Sequence, residues 1–82
     1  MYIVYILQSA KDKRTYVGYT DNFKKRFNQH NSGQVKSTKF RAPLKLLLKE
    51  EFESLTDAKK RELWWKSGAG RRKLRELLVD NT

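Results

Sequence analysis

Apolar and polar positions along the chain change period several times, and each change marks an element. YIVYIL (2–7) is a continuous run of β-branched and aromatic residues and predicts a strand. The polar, turn-like SAKDKR (9–14) separates it from TYVGYT (15–20), a second short strand, so residues 2–20 are expected to form a hairpin. In FKKRFNQH (23–30) the period becomes helical, with Asp21 placed to cap the helix and Gly33 to end it. QVKSTKFRAP (34–43) is a basic loop closed by Pro43, and LKLLLKEEF (44–52) is a third strand. SLTD (54–57) has the form of a capping box and opens a helix to about Lys66. SGAG (67–70) is expected to break it, leaving RRKLRELL (71–78) as a last short helix, apolar at Leu74, Leu77 and Leu78. The expected fold is α+β: one domain over residues 1–82, a small three-stranded antiparallel sheet flanked by helices, in the order β-β-α-β-α-α.

Three positions disturb this pattern. The inward stripe of the first helix is Phe23, Arg26, Phe27 and His30, so a guanidinium and the only histidine share the face that should enter the core. The stripe of the second helix is Leu55, Ala58, Glu62 and Trp65, with a carboxylate in the apolar row. Burying a charge is costly unless it is paired, hydrogen-bonded or metal-bound, so each of these groups needs a reason. A structural answer is a mutual Glu62–Arg26 ion pair. In the second strand Gly18 shares a face with Tyr16 and Thr20, and a glycine inside a strand marks close approach of another group to the backbone. Tyr5 and Tyr16 would flank a depression floored by Gly18. Trp64 and Trp65 fit core packing against the last helix better than stacking on bases.

Charge sharpens the picture. The 82 residues carry a net charge of +10 with a pI near 10.1. Residues 1–49 hold eleven Lys and Arg against Asp12 and Asp21, and between Asn22 and Lys49 there are eight basic residues and no acid. Such a field attracts polyanions, nucleic acid first. Lys24, Lys36, Lys39 and Arg41 are the expected phosphate contacts. There is no cysteine, so neither a disulfide framework nor a thiolate metal site is available, as suits a reducing, cytoplasmic setting. No run approaches the ~20 apolar residues of a membrane span, and no helix pairs a long apolar face with a basic one. MYIVYILQ lacks a basic leader and a small-residue cleavage site, which makes it a strand rather than a signal peptide.

Together these residues resemble the GIY-YIG nuclease superfamily, and most of all its small stand-alone group, related to the excinuclease nuclease domain. The two triplets stand here as VYI (4–6) and YVG (16–18), with their tyrosines eleven residues apart. Val4, Ile6 and Val17 depart from the named pattern, whereas Tyr5, Tyr16 and Gly18 keep it. Arg26 matches the family's catalytic arginine, His30 a histidine of many members, and AKKRE (58–62) places the metal-binding glutamate at Glu62. The late asparagine of larger members falls on Asn81.

The resemblance implies a DNA endonuclease of the repair type that hydrolyses phosphodiesters with one divalent metal ion, Mg²⁺ or Mn²⁺. Arg26 offers a fixed bidentate donor for phosphate oxygens. Glu62 would hold the metal, a hard cation that keeps most of its waters and borrows phosphate oxygens. Tyr5 would serve as base or water-positioner beside Tyr16, with His30 sharing the proton work or binding phosphate. A free phenol has a pKa near ~10, and surrounding cations are expected to favour the phenolate. The alternative is a nucleic-acid-binding module that cleaves weakly or not at all and depends on a protein partner for targeting. A monomer is the favoured state.

Overall fold

The computed structural model describes residues 1–80, so the match to Asn81 lies outside the described residues. The elements are β1 (Tyr2–Ser9), β2 (Thr15–Thr20), α1 (Phe23–Asn31), a single 3₁₀ turn (Lys36–Thr38), β3 (Leu44–Phe52), α2 (Leu55–Lys66) and α3 (Gly68–Asp80). They form an α+β fold with the expected β-β-α-β-α-α order. β1 lies in the centre of an antiparallel sheet of order β2-β1-β3. Its pairing with β2 runs from Ile3 opposite Thr20 to Gln8 opposite Thr15. Its pairing with β3 slips by a bulge between Ile6 and Leu7.

The central position explains why β1 is apolar on both faces: a strand covered on both sides has no solvent side on which to alternate. Val4 and Ile6 point one way, into a cluster with Val17, Ala58, Trp65 and Leu74 under α2 and α3. Ile3, Tyr5 and Leu7 point the other way, into a cluster with Leu44, Tyr16, Phe23 and Phe27 under α1. The sheet is therefore the middle of three layers.

Two local expectations change. The cap of α1 is Asn22, not Asp21: its side chain accepts from the Lys25 amide at 3.2 Å. Asn22 also caps without bringing a carboxylate into the basic segment. Gly33 does follow the helix with φ +79, the left-handed conformation a glycine adopts without a Cβ clash. The SGAG stretch does not unwind the chain. α2 stops at Lys66 and α3 begins at Gly68, with Ser67 as the only residue between them. The Ser67 hydroxyl donates to the Trp64 carbonyl and accepts from the Gly70 amide. A β-carbon on Gly70 would collide with the Trp64 carbonyl and the Trp65 backbone. The small residues thus permit two helices to abut, which looks like a break when only local propensity is considered.

Trp65 is core, 2% exposed, and its indole N–H donates to Glu50 at 2.8 Å. Arg61 grips the same carboxylate with two bonds, 3.0 and 3.1 Å, and lies 4.3 Å from the Trp64 ring centroid. Burial alone would raise the Glu50 carboxyl; the bonds from Arg61 and Trp65 outweigh it and hold it below its usual range. Among the described residues no helix is long and apolar enough to cross a membrane.

Candidate active site

On the α1 side of the sheet, four of the expected residues converge. Tyr5 on β1 and Tyr16 on β2 lie with ring centroids 6.3 Å apart, and the His30 ring from α1 is 5.7 Å from the first and 4.9 Å from the second. The cross-strand register makes this possible: Gly18 stands opposite Tyr5. A β-carbon on Gly18 would fall 2.6 Å from the Tyr5 hydroxyl and 3.0 Å from the Tyr16 ring, so only glycine admits both phenols. Phe23 closes the lower side, edge-on to Tyr5 at 5.6 Å and stacked with Phe27 at 5.5 Å.

His30 is wholly buried, and both its nitrogens are engaged. Nε2 lies 3.0 Å from the Tyr5 hydroxyl and Nδ1 lies 2.8 Å from the Thr38 hydroxyl. Burial, and then the positive charge of Arg26, push its pKa down to about 4. The ring is therefore neutral near pH 7, with one N–H to donate and one lone pair to accept. With no exposed surface it does not reach a phosphate; it fixes the Tyr5 phenol. Thr38, the outer anchor of this chain, escaped the sequence reading. Its only sequence signal is a hydroxyl residue in the loop that follows the histidine, and the loop path alone brings it close.

Burial pushes the Tyr5 phenol above its ordinary value; Arg26 draws it down, and Tyr16 and Glu62 push it up. The protein's own cations do not favour the phenolate by themselves: at 1% exposure, loss of solvent outweighs Arg26. Tyr16 is the phenol that reaches open space. It lines a cleft of about 590 Å³ together with Arg26, Gln34, Lys36 and Ser37. Arg26 also borders a second cleft of about 550 Å³ on its other side, with Lys25, Tyr2 and Tyr19. The half-buried guanidinium donates to Gln29 at 3.3 Å, and the neighbouring phenols hold it firmly protonated. Among the described residues it has no carboxylate partner.

Glu62, on α2 and 8% exposed, is near enough to Tyr5 to push its phenol up. The structural Glu62–Arg26 pair does not form. Instead Lys66 Nζ, one turn on and half-exposed, lies 2.7 Å from Oε1, outside hydrogen-bonding geometry. That buried oxygen accepts no hydrogen bond. A carboxylate oxygen so placed fits a cation that brings its own waters. Among the described residues there is no group of three or more metal-ligating side chains, so such a cation would keep most of its waters.

Of the four expected nucleic-acid contacts, Lys24, Lys36 and Lys39 are exposed, and Arg41 is half-buried and paired with Asp12 at 3.7 Å. Lys36 lies in the cleft with Tyr16 and Arg26.

Comparison with known proteins places the chain in a family. The chain is 42% identical over 81 residues to the UPF0213 protein YsiG of Lactococcus lactis subsp. lactis, spanning 98% of this chain and 77% of that one. It is 44% identical over 80 residues to a UPF0213 protein of Limosilactobacillus reuteri, spanning 94% and 82%. A solution NMR structure of a UPF0213 protein from Bacillus halodurans matches with a TM-score of 0.57 and 34% identity, over 94% of this chain and 85% of that chain. The GIY-YIG catalytic domain model matches residues 1–75, which contain every residue of the site described above, and the chain belongs to the GIY-YIG family.

Proposed function

We propose that the protein is an endonuclease that hydrolyses phosphodiester bonds of DNA with one divalent cation, Mg²⁺ or Mn²⁺. The observation that carries this reading is the Arg26 guanidinium, protonated, free of any carboxylate among the described residues, and set beside Tyr16 between two open clefts. Its fork matches the non-bridging oxygens of a phosphate and would neutralise charge as the phosphorus is attacked. Lys36 in the same cleft adds a second positive contact. Tyr16 faces the space a reacting water would occupy and orients it.

Tyr5 is the proton-handling group behind it, fixed by His30, which is in turn fixed by Thr38. His30 is thus a positioning residue: neutral, buried and bonded to the phenol. Glu62 would hold the cation through Oε1, which accepts no hydrogen bond, with the half-exposed Lys66 ammonium displaced from it. When bound, the cation supplies charge that stabilises the leaving oxygen, cancels the field of Glu62 and favours the Tyr5 phenolate. A second reading, a binder that cleaves little, draws on the raised Tyr5 phenol.

The test is incubation of purified protein with single-stranded, duplex, nicked and branched DNA, and with RNA, in Mg²⁺, Mn²⁺ or EDTA. Cleavage of a DNA substrate that stops in EDTA and in Arg26→Ala supports the reading. Binding without cleavage in either metal selects the second. Cleavage that persists in EDTA removes Glu62 as a metal ligand.

A further inference from the structure

Phe40 is 78% exposed, more than any other large hydrophobic side chain among the described residues. A single exposed apolar residue is ordinary on a protein surface. Here the backbone that carries it is fixed on both sides. Thr38 is fully buried and bonded to His30. The Arg41 amide donates to the Thr38 carbonyl at 2.9 Å, and the Arg41 carbonyl accepts from the Ser9 hydroxyl at 2.6 Å. The Ala10 amide holds the Pro43 carbonyl at 2.9 Å. The ring thus stands in solvent on a loop whose backbone is anchored on both sides.

Its surroundings are mainly basic. Lys39 Nζ lies 5.4 Å from the Phe40 centroid, and Lys36 and Arg41 flank the segment. The nearby Asp12 is already paired with Arg41. An apolar protein partner would have to neutralise these cations, whereas a nucleic acid brings phosphates for the lysines and a flat apolar face for the ring. Base faces are covered in an intact duplex and uncovered where strands are unpaired or unstacked. Only Lys39 separates Phe40 from Thr38 in the chain, and the Thr38 hydroxyl begins the chain of contacts to His30 and Tyr5.

We propose that Phe40 is a stacking platform for an unpaired nucleobase, and that it directs the protein to single-stranded or distorted nucleic acid. This inference rests on the nucleic-acid reading above, but not on cleavage.

The experiment measures binding in EDTA, by fluorescence anisotropy, of a single-stranded oligonucleotide and a blunt duplex of equal length. It compares the wild-type protein with Phe40→Ala and Phe40→Trp. Loss of one stacked base predicts that Phe40→Ala binds the single strand roughly five- to hundred-fold more weakly. Its duplex affinity should change less than about two-fold, and the slope of affinity against salt should stay the same, since no phosphate contact is removed. Phe40→Trp should keep single-strand affinity, and its indole emission should be quenched on binding. An unchanged melting temperature for both variants excludes misfolding. Equal weakening on duplex and single strand, or no weakening on either, overturns the proposal while leaving the nuclease reading intact. Absence of cleavage with selective weakening intact overturns the nuclease reading alone. A wild-type protein that binds no nucleic acid overturns both.

Discussion

The two faces of the sheet are built from one strand and do different work. Under α2 and α3, Val4, Ile6, Val17, Ala58, Trp65 and Leu74 make an apolar layer. Under α1 the same strand presents Tyr5, which meets Tyr16, His30 and the guanidinium-bearing stripe of α1. The first face stabilises by removing apolar area from water. The second buries polar groups that have to be satisfied by one another, the condition under which the Tyr5 phenol is pushed up and the His30 imidazole down. Alternation along β1 is enough to separate the two roles by one residue, so substitutions at neighbouring positions should have different consequences.

The largest effect is expected on the apolar face. Trp65→Ala removes a 2%-exposed ring and the Glu50 indole donor, and such a truncation costs about 3–5 kcal/mol. A domain of 82 residues has a total stability on the order of 4–12 kcal/mol. Thermal melting should therefore show a protein that is barely folded, and cleavage should vanish with the fold. A variant that melts normally would mean that the layer under α2 does not carry the stability assigned to it.

The next effect is expected on the polar face, as a dependence on pH. Unfolded, His30 has its ordinary pKa of 6.5; folded, it is pushed down to about 4. The unfolded chain takes up this proton first, so its contribution to stability is complete above pH 6.5 and declines as the pH falls toward 4. The loss approaches about 3 kcal/mol. Tyr5 and Arg26, which face the ring, are both pushed up and keep their charge states through this window, whereas carboxylates elsewhere titrate. The measurement is therefore the difference between the wild-type and His30→Gln melting curves across pH 4–7. The decline should be shallower in the variant, and parallel curves would show that His30 is not held neutral.

Tyr5→Phe keeps the ring packed but leaves the buried Nε2 of His30 without its hydroxyl partner. An unsatisfied buried group costs about 1–3 kcal/mol. The melting temperature should fall by a moderate amount while cleavage collapses. If activity survives in Tyr5→Phe, the hydroxyl is only structural.

The smallest effect on the fold is expected at Glu62. Its neighbour is Lys66, one turn on, with a side chain 52% exposed, and pairs of this kind contribute about 0.3–0.5 kcal/mol. Glu62→Gln should melt close to wild type, bind nucleic acid as well or better and fail to cleave with Mg²⁺. Calorimetric titration with Mg²⁺ should show weakened binding. Retained cleavage would remove Glu62 from the metal site, and a large fall in melting temperature would give its carboxylate a structural partner instead.

How much of this was legible beforehand follows from the range of each interaction. The strands, the helices and the stripe Phe23-Arg26-Phe27-His30 depend on spacing within a few residues, and they stand where periodicity placed them. The alternation that gives Tyr5 to one face and Val4 to the other is likewise local. The capping residue of α1 was missed by one position, because Asp21 and Asn22 are equally good caps until the exit of β2 is known. The start of α3 was missed because glycine disfavours a helix locally, and the need for Gly70 arises only where Trp64 and Trp65 press against it.

The sequence by itself determined the elements, their order, the excess positive charge before residue 50 and the chemical types gathered on each stripe. Only the tertiary structure decided that Arg26 is free of Glu62, that Thr38 completes the chain to Tyr5 through His30, and that the phenol is pushed up rather than down. Those outcomes depend on solvent exclusion and on contacts between residues distant in the chain. Local spacing fixes which way a side chain faces along its own element, but the dielectric around it and the partner it meets are set by elements that fold against it from elsewhere.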